Sequence, residues 1–199
     1  FQATQNVNKM PNILYLGSIE GYHSAREVLE EIGDTFHVEP TSIAEIAKIN
    51  GSGSGEIIFY IDSIAGLEIA KKAIEKTPNA KLNVFMEIGA PGGRAGIRDL
   101  ELLKNILDEI AKDDRIFVRG VSGFEGAVPG GDRNGEGIEK IRIFLRQIVA
   151  AAAIAKPFVR GEKIIISAGG SSYFDYVAEE FAKYDGEALL LLRSGGYVS

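Results

Sequence analysis

The sequence contains no cysteine and no tryptophan, and its 199 residues include only two histidines. Without cysteine there is no disulfide, no thiolate zinc site and no cysteine nucleophile. His23 and His37 fall in different stretches with no partner pattern, so neither a histidine base nor a metal site is expected. A basic surplus is also missing. The 22 Lys and Arg stand against 28 Asp and Glu, a formal charge of −6, which argues against a nucleic-acid partner. No apolar run approaches the roughly 20 residues that cross a bilayer, so no membrane association is expected. The longest run, residues 148–155, is short and alanine-rich. No charged, apolar, then small-residue leader opens the chain, which makes a cytoplasmic location the default.

What the chain does have is apolar mass and glycine. Hydrophobic residues make up 45%, enough to bury a core, and a charged fraction of 25% argues against wholesale disorder. Glycine numbers 24, unevenly spread. Residues 51–55 read GSGSG, the composition of a flexible linker. The other glycines sit at the ends of apolar runs, where backbone turns tightly or approaches a ligand. Residues 1–9 show no period, and the chain opens on Phe1 although Met10 is at hand. That stretch reads as a leader, an expression remnant or the cut end of a longer chain.

Residues 13–16 predict a buried strand, 24–32 a helix, 35–38 a weaker strand, and 42–49 a short helix begun by Ser42. This βαβα segment, 1–50, precedes the expected linker at 51–55. From residue 56 the rhythm is regular. Strands are expected at 57–61, 82–88, 116–121, 163–167 and 188–192, with helices at 67–76, 99–111, 138–155 and 173–183 between them. Strands apolar throughout, alternating with helices, mean a parallel sheet covered on both faces, hence an α/β fold. Such repeats make either most of a TIM-type (β/α)₈ barrel or a doubly wound sheet.

In both architectures ligands bind at the C-terminal ends of the strands. Four of those five ends here combine glycine with Ser, Arg, Tyr or Glu, whereas the opposite ends are plain, as at Lys81 and Lys163. The loop 167–172 joins a strand to a helix, so its backbone N–H groups and the helix N-terminus can cradle a phosphate. Arg193 and Ser194 with two glycines can face the same pocket. Arg94, inside a glycine-rich loop, can be a fixed cation for an anionic oxygen. Arg98 reads as a solvated residue at a helix start. Glu125 reads as a solvated loop residue, with an acid–base role as the alternative. Tyr173, Phe174 and Tyr176 read as core and rim.

Four segments carry a further signal: Glu87-Ile-Gly-Ala-Pro-Gly-Gly-Arg-Ala-Gly-Ile-Arg98, Gly120-Val-Ser-Gly-Phe-Glu-Gly126, Ile166-Ser-Ala-Gly-Gly-Ser-Ser-Tyr-Phe-Asp175 and Leu192-Arg-Ser-Gly-Gly-Tyr-Val198. In this order they resemble the barrel domain of fold type III pyridoxal-phosphate enzymes. The likeness is greatest to the D-threonine aldolase, D-serine dehydratase and amino-acid deaminase group, relatives of alanine racemase. It spans about residues 57–199 and implies a partial alanine-racemase-like barrel, with 57–61 as strand four and 188–192 as strand eight. It further implies pyridoxal phosphate as cofactor, lyase chemistry on D-amino acids, a small-molecule substrate or phosphate-bearing ligand, and a homodimer. On the matching positions, Ser167, Gly169, Gly170 and Ser171, with Ser194, Gly195 and Tyr197, would hold the phosphate. Arg94 would meet the phenolic oxygen of the ring.

Departures accompany the likeness. No Schiff-base lysine ends a recognisable strand, so no catalytic residue is assigned. Phe124 stands where that family has Tyr, and Gly196 where it has Cys. The family continues into a second, β-rich domain beyond the barrel. An incomplete cofactor-binding barrel is therefore expected. The alternative is a non-catalytic chimeric or truncated α/β scaffold that keeps a phosphate site. A third reading is a doubly wound module that binds phosphate or flavin.

Overall fold

A computed structural model describes residues 13–16, 40–53, 56–93, 95–161, 163–169 and 172–193. It contains β1 (Ile13–Leu16), α1 (Pro40–Ser52), β2 (Glu56–Ile61), α2 (Ile64–Ile74), β3 (Leu82–Ile88), α3 (Leu100–Ile110), β4 (Ile116–Gly123), α4 (Gly135–Ala155), β5 (Ile164–Ala168), α5 (Phe174–Phe181) and β6 (Ala188–Leu192). Short 3₁₀ turns lie at Glu125–Ala127 and Lys156–Phe158. Five parallel strands, β2 to β6, alternate with helices in the α/β order expected. The helix expected at 24–32 and the strand expected at 35–38 lie outside the described residues, as do His23 and His37.

The chain divides into two compact units. One comprises Phe1–Tyr60 and Glu68–Asn83, the other Ile61–Leu67 and Val84–Ser199. In the first, β1 pairs parallel with β2, Ile13 opposite Glu56 and Leu16 opposite Phe59. Residues 51 and 52, expected as linker, belong instead to α1. The reason is a clasp: Asn50 Nδ2 donates to Ile57 O (2.9 Å) and Ile57 N donates back to Asn50 Oδ1 (2.7 Å). That two-bond bridge joins the helix end to the strand start and offsets the ordering cost of glycine and serine.

In the second unit β4, β5 and β6 and β3 from Val84 onward lie side by side in sequence order. Gly120 faces Ile165 and Ser167 faces both Ser122 and Leu191, in parallel register. All five residues of β5 are buried, as are Leu82, Val84, Phe85, Met86 and Ile88 of β3, so both faces of these strands are covered. The cover comes from helices with one apolar stripe. Leu103, Ile106, Leu107 and Ile110 of α3 are buried at helical spacing, and Asp99 caps its start by accepting from Glu101 N at 2.9 Å. Ile141, Phe144, Leu145 and Ile148 continue into Ala151, Ala152 and Ala155 along α4. The alanine-rich run is thus a close-packing stripe. Gly120 is required by sheet geometry: a Cβ there would lie 1.8 Å from Ile165 O.

Candidate functional site

The C-terminal ends of β4, β5 and β6 are tied to one another. Ser122 and Ser167 occupy facing register positions and are both fully buried. Ser167 Oγ donates to Leu191 O at 3.0 Å. Arg193, just past β6, gives its backbone N–H to Ala168 O (3.1 Å) and its Nη2 to Gly123 O (2.5 Å). One arginine therefore bridges the ends of three adjacent strands.

Glu125 corrects the expectation of a solvated loop residue. It is 1% exposed, and its Oε2 accepts the Gly169 N–H at 3.0 Å. Phe124 lies over the same point. A Cβ on Gly169 would come within 2.6 Å of the Phe124 ring and 3.3 Å of Glu125 Oε1. A buried carboxyl group is tolerated only when it is hydrogen-bonded, and the Gly169 N–H supplies such a bond. No spacing rule in the sequence foretold this contact, which joins residues 44 positions apart.

The loop after β3 is held from within its own unit. Arg98 is exposed, as expected, and from there donates Nε to Ala90 O (3.0 Å) and Nη2 to Gly93 O (2.7 Å). Asp62 Oδ2 accepts from Gly96 N at 3.4 Å. Beside this loop lies a small recess lined by Glu87, Gly89, Ala90, Phe124, Ala127 and Phe144.

The helix after the candidate phosphate loop is anchored by residues that sequence reasoning missed. Arg133 donates Nη1 to Ser172 O and Nη2 to Asp175 Oδ2, the latter at 2.8 Å. Its guanidinium lies 5.8 Å from the Tyr173 ring centre and 5.4 Å from that of Tyr176. Its hydrogen bond to Asp175 raises its pKa above the usual arginine value. Tyr173 OH donates to Gly131 O at 2.6 Å. Tyr173 sits at the N-cap of α5 without a side-chain cap bond. The only hint in the sequence was the aromatic cluster at 173–176.

Of the expected cofactor residues, Ser167 and Gly169 are described, and both stand at the end of β5 as expected. Their donors point into the fold, to Leu191 O and to Glu125. Arg94, Gly170, Ser171, Ser194, Gly195 and Tyr197 lie outside the described residues. Among the described residues no group of His, Cys, Asp and Glu is placed to hold a metal, and no helix is long and apolar enough to cross a membrane.

The fold class these features define is α/β, with parallel strands alternating with helices, and its structural neighbours are TIM-barrel-like proteins. D-threo-3-hydroxyaspartate dehydratase from Delftia sp. HT23 superposes on 84% of this chain at a TM-score of 0.58 and 18% identity. D-threonine aldolase from Filomicrobium marinum covers 82% at 0.54 and 17%. PipY of Synechococcus elongatus PCC7942, solved with pyridoxal phosphate bound, covers 88% at 0.53 and 12%. This chain spans 44% of each of the first two proteins and 77% of PipY. No protein-family model and no curated protein matches the sequence.

Proposed function

We propose that the chain is a pyridoxal-phosphate-binding barrel segment that holds the cofactor by its phosphate at the C-terminal ends of β5 and β6. The observation that carries this reading is the joining of those ends by Arg193, Glu125 and Ser167, which converge where parallel α/β folds bind ligands. The likeness to D-amino-acid lyases and to PipY supports the choice of cofactor. Within this reading Ser167 and Gly169 frame the cradle, because their own donors are engaged in the fold. The donors for the anion then fall to Gly170, Ser171, Ser194, Gly195 and Tyr197, with Arg94 toward the ring oxygen. When bound, the ring supplies an electron sink for charge at an amino-acid Cα. Phe124, 45% exposed beside Gly169, shields that end of the strands from water.

A second reading, a scaffold that binds the phosphate without covalent attachment, is favoured by where the strand-flanking lysines lie. Lys81 and Lys163 precede β3 and β5, at the end away from the loops. One experiment separates the two. The protein is titrated with pyridoxal phosphate, reduced with borohydride and mapped by peptide mass. A shifted absorbance band with one reduced lysine supports a covalent cofactor enzyme. Saturable binding without an adduct supports the scaffold, and no saturable binding overturns both.

A further inference from the structure

The connection from β4 to α4 makes four hydrogen bonds with the connection from β5 to α5 and the first turn of α5, and they fall on both sides of residues 170–171. On the strand side, the buried Glu125 carboxylate accepts the Gly169 N–H at 3.0 Å. On the helix side, Arg133 donates to Ser172 O and pairs with Asp175 at 2.8 Å, while Tyr173 OH reaches back to Gly131 O at 2.6 Å. The partners are separated by 39 to 44 positions in sequence, so these are tertiary contacts and not turn geometry. Arg142 of α4 adds a guanidinium 4.7 Å from the Tyr176 ring centre.

We infer that the β4–α4 connection is a clamp for the anion-binding loop after β5, with Glu125 and Arg133 as its positioning residues. Two physical effects follow from their chemistry. A glycine-rich loop is entropically costly to order, and fixing its flanks beforehand removes part of that cost from binding. Asp175 also sits in the first turn of α5, where its charge opposes an incoming anion, and the Arg133 guanidinium offsets it locally. Neither residue needs to touch the phosphate. The inference rests on the anion site proposed above.

The test compares wild type with R133A, R133K, E125A and E125Q. Two quantities are read: pyridoxal-phosphate and inorganic-phosphate affinity, and amide hydrogen exchange of the peptide 168–176 in ligand-free protein. R133A and E125A are expected to raise exchange in this peptide by about tenfold, the opening allowed by losing the hydrogen bonds that hold its flanks. Both are expected to weaken both ligands by about fivefold to twentyfold. E125Q keeps an acceptor oxygen and should restore both readouts. R133K keeps the charge but not the fork, and should restore affinity better than exchange protection. Unchanged exchange in R133A and E125A overturns the clamp. So does changed exchange with affinity within twofold of wild type. Failure of wild type to bind either ligand overturns the anion site, and the positioning role with it. That outcome is recognisable because the exchange difference is measured without ligand.

Discussion

At the scale of single residues, the contacts that matter most are those between groups far apart in sequence. Gly120 shows the steric side. A side chain there would collide with the backbone of β5, so Gly120→Ala should cost about 3 kcal/mol, the upper range for overpacking a filled site. Urea denaturation at neutral pH measures it, and a loss under about 1 kcal/mol would mean that β4 and β5 can part at that point. Gly170→Val tests the proposed cradle at its centre. Phosphate affinity should fall at least about tenfold while β5 keeps its exchange protection, since the added bulk blocks close approach of an anion to backbone. Undiminished affinity would move the site toward Arg94 and its own glycine loop.

At the scale of elements, α4 and α5 are joined by a buried carboxylate. Glu180 is fully covered and accepts from Arg142 (2.6 Å), Lys183 (2.7 Å) and Arg146 (3.3 Å). Burial alone would raise its pKa, but the bonds from Lys183, Arg142 and Arg146 outweigh burial and hold it at about 2. Because the folded value lies below the ordinary 4.5, this carboxylate stabilises the fold above about pH 4.5. The contribution is lost as pH falls from there toward 2. Its size is up to about 3 kcal/mol, and E180Q should remove that part of the acid dependence. Urea midpoints of the two proteins at pH 6, 4 and 3 decide the matter. Parallel declines would show that the cluster contributes nothing measurable.

At the scale of the molecule, a formal charge of −6 sets the background field for a proposed anion site. Long-range repulsion and local donors then oppose each other, and salt screens the former more than the latter. Phosphate affinity between 10 and 150 mM salt is therefore expected to stay within about threefold, unlike the steep loss of a basic groove. Isothermal titration at both salt concentrations checks this, and a tenfold fall would point to an exposed cationic patch instead.

The five alternating strands and helices were legible in the amino-acid order because each needs only a local pattern. β3, at 82–88, is mostly apolar and β6, at 188–192, wholly so; both end where read, and α3 starts at the Asp99 cap. The same local chemistry marked one set of strand ends as rich in glycine and hydroxyl groups. Local pattern failed where a distant partner changed the outcome. Residues 51–52 read as linker until Asn50 bonds to Ile57. Glu125 reads as solvated until it meets the Gly169 N–H that the fold brings close. Arg133 carried no signal at all, since its partners lie some 40 positions away. Period, caps and turn residues act over a few positions and so belong to the sequence. Whether a charged side chain is buried, and which loop it holds, depends on what the parallel sheet sets beside it, and only the tertiary structure decides that.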